Sequence, residues 1–295
     1  MGIPENKKNV SALFLLLTLS LIWGTSFILI KQGLKAFSPD VVGALRVTAA
    51  AIFLLPLALP RLKELKEGDS FKLLLSGLMG IFFPAFLFAF AQTKLNSSLA
   101  GILNTLSPLW TMILGALFFT QRFRGYAILG IILSFLGAIM LALSRSGGTI
   151  TGFNAYALLI VAACALYGAN LNWVKFKIHD LGSITITSIS LLFIGPFAAV
   201  YLFFFTDFTH TLTHEPGAWK AFAFVVLLAL MGTAVAGLLF NKLLRISSPI
   251  YASSVTYIMP IVAVMWGVID GEKLLPGHFI GMAAILGGVY LANRK

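Results

Sequence analysis

The sequence predicts an all-α membrane protein of ten transmembrane helices, arranged as two inverted five-helix repeats. Three observations lead there. Of 295 residues, 59% are hydrophobic and only 11% charged, with mean hydropathy +0.96; a soluble domain runs at about 45–50% apolar and about 25% charged. Ten apolar segments fill almost the whole chain, and each fits the roughly 17–25 residues that span a bilayer. The second five segments resemble a copy of the first five. Five is odd, so two copies of such a unit enter the membrane from opposite sides, related by an axis in the membrane plane. The expected halves are residues 1–147 and 148–295.

The first segment, 10–31, follows Lys7 and Lys8. A cleaved signal peptide would have an apolar region of about 7–15 residues ending at small residues. This run is longer and more spans follow it, so it is expected to stay as a helix. The second segment, 39–60, holds Arg46, the basic residue deepest in any span, and ends at the polar stretch Arg61–Phe71. Segments 71–93 and 98–120 follow, the latter with Pro108 near its middle. Segment 125–144 carries Gly130 and Gly137, and 153–175 carries the lone Cys164, so one chain offers neither a disulfide nor a thiolate cage. Segment 184–206 precedes the polar stretch Thr206–Pro216. Segments 218–241 and 248–270, with Pro260 in the latter, lead to 275–292. There Gly277 and Gly281 form a GxxxG pattern before Gly287-Gly288, and small residues let helices approach closely. The glycines of the fifth and tenth segments predict a scaffold contact between them, with a dimer face as the alternative. Short connections make neighbouring helices antiparallel.

The net charge of +11 reflects basic loops, not nucleic-acid binding. Lys7, Lys8, Arg61, Lys63, Lys66, Lys72, Arg122, Arg124, Lys175, Lys177, Lys242, Arg245, Arg294 and Lys295 fall on one side, which is 14 residues. Lys31, Lys35, Lys94, Arg145, Lys220 and Lys273 make six on the other. The excess puts both termini in the cytoplasm, as an even number of spans requires, and a bacterial inner membrane is the expected location.

The repeat is read from collinear pairs. A shift of 144 overlays Trp23-Gly24 on Tyr167-Gly168, Ser26 on Asn170 and Lys31 on Lys175. A shift of 152 overlays Leu78-Met79-Gly80 on Leu230-Met231-Gly232, Phe88 on Phe240, Ala100 on Ala252 and Pro108 on Pro260. One residue of slippage pairs Gln121-Arg122 with Glu272-Lys273, Gly130 with Gly281, and Gly137 with Gly288. The second and seventh segments match poorly.

Trp23-Gly24-Thr25-Ser26-Phe27, and Pro260 followed by Gly271-Glu272-Lys273 and a Gly-rich last helix, resemble EamA-type members of the drug/metabolite transporter superfamily over nearly the whole chain. The resemblance implies two inverted halves, a central cavity, and export of metabolites, amino acids or drugs. Thr120-Gln121-Arg122 departs from the pattern where an acidic residue is usual.

A transport site needs polar groups at mid-depth facing a cavity. The expected substrate-binding residues are Trp23, Thr25, Ser26, Asn104, Ser107, Tyr167, Asn170 and Tyr257, with Pro108 and Pro260 as helix kinks that leave carbonyls unpaired. They put the site mainly among the first, third, fourth, sixth, eighth and ninth segments. Thr105, Asn172, Ser253, Ser254 and Thr256 share these helices. Interhelical polar bonds, worth about 0.6 kcal/mol each on average, account for part of this set. Arg46 could attract an anionic group, but the preferred expectation is that it snorkels outward or pairs with Asp40, Asp270 or Glu272. No Asp or Glu lies at mid-membrane, so proton or sodium coupling is not visible and uniport or exchange stays open.

The expected function is alternating-access export of small metabolites such as amino acids. A multidrug or lipophilic-compound exporter is the alternative, with a membrane scaffold or an intramembrane enzyme as readings of another class. Catalysis finds no support in HExxH, GxSxG or P-loop patterns. His210 and His214 are four apart, but Pro216 and the Thr-rich stretch argue against a helix presenting both. No cofactor or metal is expected. The expected partners are a small-molecule substrate and membrane lipids, with a homodimer left open.

Overall fold

The computed structural model describes residues 5–119, 125–144, 154–178, 180–247, 252, 255–274 and 276–292. The junction at 147/148 lies outside them, as do Thr120, Gln121, Arg122, Arg124, Arg145, His179, Ser253, Ser254, Arg294 and Lys295. All regular structure among the described residues is helical. The long helices are α1 (Glu5–Gly33), α2 (Pro39–Arg61), α3 (Asp69–Gln92), α4 (Ser97–Phe119), α5 (Gly125–Ser144), α6 (Tyr156–Lys177), α7 (Ser183–Phe204), α8 (Ala218–Ile246), α9 (Val255–Ile269) and α10 (Pro276–Ala292). Seven of them are long and apolar enough to cross a membrane: α1–α4 and α6–α8. Ile128–Met140 within α5, and α9, are shorter apolar helices.

Local chemistry sets the helix starts. Pro39 begins α2 with its fixed φ, where no N–H is needed. Asn96 caps α4 by accepting from the Leu99 N–H at 3.0 Å. Gly68 and Gly217 both adopt φ +81° immediately before α3 and α8, a left-handed conformation that a side chain would strain. The outer faces carry large apolar side chains such as Phe14, Leu117, Phe118 and Phe204. In lipid such faces need no cover, and the helices satisfy their own backbone groups.

Helix pairs pack in matching ways. A β-carbon at Gly24 of α1 would collide with Val262 of α9; one at Gly168 of α6 would collide with Trp110 and Thr111 of α4. Trp23 of α1 lies against Phe240 of α8, ring centroids 5.1 Å apart, and Tyr167 of α6 against Phe88 of α3 at 6.1 Å. Along the α5–α10 contact, Gly137 meets the Gly281 carbonyl, and Gly288 meets that of Gly130. α2 runs along α7, with Gly195 backed onto Ala51.

Within the long helices, three described stretches depart from α geometry. Leu78–Phe82 in α3 and Leu228–Val235 in α8 are π-helical, and each contains a glycine, Gly80 and Gly232. Asn104–Leu106 in α4 is a 3-10 turn just before Ser107-Pro108. Such bulges recur at functional sites, and all three border the cavity described next.

The histidine expectation is corrected. His210 and His214 do share a short helix, Phe208–His214, with rings stacked at 4.4 Å. The helix ends before Pro216, so the proline does not interrupt it, and the Thr213 hydroxyl donates back to the Thr209 carbonyl at 2.9 Å. Among the described residues no third metal-binding group joins them.

Candidate functional site

At mid-depth the bundle encloses a cavity of about 190 Å³. Trp23 and Ser26 of α1, Asn104, Ser107 and Pro108 of α4, and Tyr167 and Asn170 of α6 border it. Thr25 and Tyr257 lie off its wall. The Thr25 hydroxyl accepts from Trp266 Nε1 at 3.0 Å, and Tyr257 packs on the main apolar core. Pro260 sits inside α9 away from the wall, while Pro108 borders it. Asn172 does not reach the cavity; its amide donates to the carbonyls of Thr111 and Gly168, both at 2.9 Å, tying α6 to α4.

The wall is built where helices lack side-chain bulk. Gly80, in the π segment of α3, leaves room for the Asn170 side chain, and Gly232, in that of α8, leaves room for the Ser26 hydroxyl. The Gly232 carbonyl accepts from Trp23 Nε1 at 3.0 Å. Ser76 donates to Asn170 Oδ1 at 2.7 Å. Ser107 donates to the Asn104 carbonyl at 2.9 Å. The arrangement offers amides and hydroxyls beside aromatic faces, a lining that suits a small amphipathic molecule.

Sequence reasoning missed the wall that α7 supplies through Thr187 and Ser190. It placed the eighth segment at the site but named no side chain there, where α8 supplies Thr233 and Asn241. The density of Thr and Ser at the start of α7 was the available signal.

Arg46 is a correction. Among the described residues it pairs with no acid, and it turns inward. It borders the cavity, and its Nε donates to Thr233 Oγ1 at 2.8 Å. The acids expected to hold it are engaged elsewhere: Asp270 and Glu272 by Lys31, and Asp40 by the Tyr201 hydroxyl at 3.4 Å.

The two ends of the cavity differ. Val174 near the end of α6, Ile186 near the start of α7, and Asn241 and Leu244 of α8 continue the wall to the end of the bundle that carries the α2–α3 connection. At the opposite end Glu272, whose side chain is only 3% exposed, closes the structure. Its Oε1 accepts from Lys31 Nζ (2.8 Å), Ser97 N (2.8 Å) and Ser97 Oγ (2.7 Å). Its Oε2 accepts from Ser98 N (3.0 Å) and Ser98 Oγ (2.6 Å). Lys31 also reaches Asp270 at 2.7 Å. The carboxylate therefore sits on the N-terminus of α4, where the helix dipole favours negative charge, and links α1, α4 and the α9–α10 connection.

Burial alone would raise the Glu272 pKa, but the hydrogen bonds from Lys31, Ser98 and Ser97 outweigh it and hold the carboxyl at about 2. A lowered folded-state pKa stabilises above the ordinary carboxylate value and loses that contribution as pH falls through the folded value. The melting-temperature difference between wild type and Glu272→Gln should thus stay constant from pH 7.5 to pH 5 and shrink only below about pH 4.5. A difference that collapses between pH 7 and pH 5 would contradict this geometry.

The chain matches the EamA-like transporter family twice, over residues 10–143 and 154–294. It is 25% identical over 276 residues to an "Uncharacterized transporter" of Archaeoglobus fulgidus, covering 92% of this chain and 95% of the relative. It is 26% identical over 289 residues to the "Uncharacterized inner membrane transporter YedA" of Escherichia coli, covering 94% and 89%. A "Probable amino-acid metabolite efflux pump" of Escherichia coli is likewise 26% identical over 289 residues, covering 94% and 93%. A crystal structure of a protein at 18% identity superposes with a TM-score of 0.66, covering 96% of each chain, a likeness of fold alone.

Proposed function

This chain belongs to the EamA-like transporter family, and from that premise we propose that it exports small amphipathic metabolites, amino acids foremost, by alternating access. The observation that carries the reading is the asymmetric cavity. Groups from both ends of the sequence line one mid-depth site, which continues to the α2–α3 end and is sealed at the other by the Glu272 cluster. Under the positive-inside rule the α2–α3 end is cytoplasmic and the molecule faces inward in an inner membrane.

Ten crossings in two inverted halves are part of the proposal. The matched contacts support it: Trp23 on Phe240 answers Tyr167 on Phe88, and Gly137 on Gly281 answers Gly288 on Gly130. So does the double family match. Rocking of one half against the other about the cavity would open the Lys31 end and close the α2–α3 end.

The volume favours a metabolite over a drug, since drug-sized ligands occupy pockets of roughly 300–1,000 Å³ and this one has about 190 Å³. The name of the Escherichia coli efflux pump points the same way. The test is counterflow of labelled amino acids in liposomes holding the purified protein. Saturable flux is expected, and Asn104→Ala and Asn170→Ala should each lower it about fivefold or more, the scale of a lost hydrogen bond of about 1 kcal/mol, with folded protein unchanged. Flux of lipophilic compounds alone would favour the drug reading. Unchanged flux in both variants would remove these asparagines from the site.

A further inference from the structure

We propose that Arg46 and Thr233 form a carboxylate subsite, so that the cavity takes a small molecule bearing a carboxylate and rejects cations. The inference rests on the transport reading above and deepens it by naming the charge of the substrate.

Four observations carry it. Arg46 borders the cavity, so its partial exposure is exposure to the site. Its Nε is anchored on Thr233 Oγ1 at 2.8 Å, which fixes the plane of the guanidinium. Its terminal nitrogens have no hydrogen-bond or ion-pair partner among the described residues. No Asp or Glu stands among the described residues lining the cavity, and the three acids expected to pair with Arg46 are engaged by Lys31 and Tyr201. Charges inside a membrane protein pair with one another, with carbonyls or with a ligand. Here the protein supplies no carboxylate, and the free edge of the guanidinium matches one through two parallel N–H···O bonds.

Thr233 extends the site. Its hydroxyl oxygen is taken by Arg46, and its proton makes no bond to a protein group among the described residues. It is therefore a further donor beside the fork. The aromatic wall of Trp23, Phe27, Phe88 and Phe240 accommodates an apolar side chain. A cation entering the site would meet an uncompensated positive charge in a low-dielectric space, where like charges repel strongly.

The test uses the purified full-length chain and three matched sets of compounds: neutral amino acids, the corresponding deaminated acids and the corresponding decarboxylated amines. Binding is read as thermal stabilisation in detergent, and transport as flux in liposomes. At least one amino acid or deaminated acid should bind, and its amine should not. Arg46→Gln should weaken that binding about 10- to 100-fold, as expected for loss of a charge-assisted hydrogen bond. Arg46→Lys, which keeps the charge and loses the fork, should fall between, and Thr233→Val should weaken binding without removing a charge. Amines that bind as well as acids, acids that bind Arg46→Gln and Thr233→Val like wild type, or no binding by any acid would each overturn the subsite. Acid binding that depends on Arg46 without any flux would keep the subsite and sink the transport reading. Flux indifferent to Arg46 would do the reverse.

Discussion

Replacing Glu272 by alanine should release the seal at the Lys31 end and leave a protein biased toward the conformation open on that side. The reason is what the substitution strands. Lys31 loses one of its two carboxylate partners, and the N–H and hydroxyl groups of Ser97 and Ser98 lose their acceptor at the start of α4. Lys31 keeps Asp270 at 2.7 Å, so the loss is that of buried donors left without an acceptor, about 1–3 kcal/mol, roughly one to two orders of magnitude in an equilibrium constant. The cost falls on the sealed conformation alone, because the cluster joins parts of the chain that separate when that end opens. Spin labels at Lys94→Cys and Lys273→Cys, both exposed, in a Cys164→Ala background, would report the change as a longer distance in Glu272→Ala. The same distance distribution with and without Glu272 would show that the cluster does not hold this end shut.

The second large effect is on stability. In Gly168→Ala the new β-carbon would lie 2.6 Å from the Thr111 nitrogen and 2.7 Å from the Trp110 carbonyl carbon. Both are backbone atoms of α4, so neither can swing away and α6 must shift. Overpacking typically costs about 1–3 kcal/mol, and backbone obstacles put this case at the upper end. Gly24→Ala meets the Val262 side chain at 2.5 Å and the Met259 carbonyl at 3.0 Å. Val262 can yield in part, so a smaller loss is expected. Thermal unfolding in detergent should rank wild type above Gly24→Ala above Gly168→Ala. Both variants melting with wild type would mean that these helices are not packed as described.

The helices were legible because apolar runs long enough to cross a bilayer have few alternatives, and the polar stretches between them are short. The residue pairs behind the matched contacts were legible too, though the contacts themselves were not. The shifts of 144 and 152 pair Trp23 with Tyr167 and Phe88 with Phe240, and the structure sets Trp23 on Phe240 and Tyr167 on Phe88. The π segments were not. Only Gly80 and Gly232 marked them, and a glycine in an apolar helix has many uses. Arg46 was misread for a different reason. Asp40, Asp270 and Glu272 have other partners, and that competition exists only in three dimensions. Thr25 shows the same limit. It adjoins Ser26 in sequence, yet one step around the helix turns it to Trp266 instead of the cavity.

The most direct test of alternating access is to lock the sealed end covalently. Gln32 of α1 and Asp270 of the α9–α10 connection meet side chain to side chain at 3.0 Å, so Gln32→Cys with Asp270→Cys, in the Cys164→Ala background, places two thiols within reach of a short bis-methanethiosulfonate cross-linker while Glu272 keeps its partners. With the protein in liposomes, cross-linking should stop counterflow of a transported amino acid and reduction of the linker should restore it, while the unlinked pair remains active. Full flux through completely cross-linked protein would contradict the account, because the substrate would then be crossing without that end ever opening.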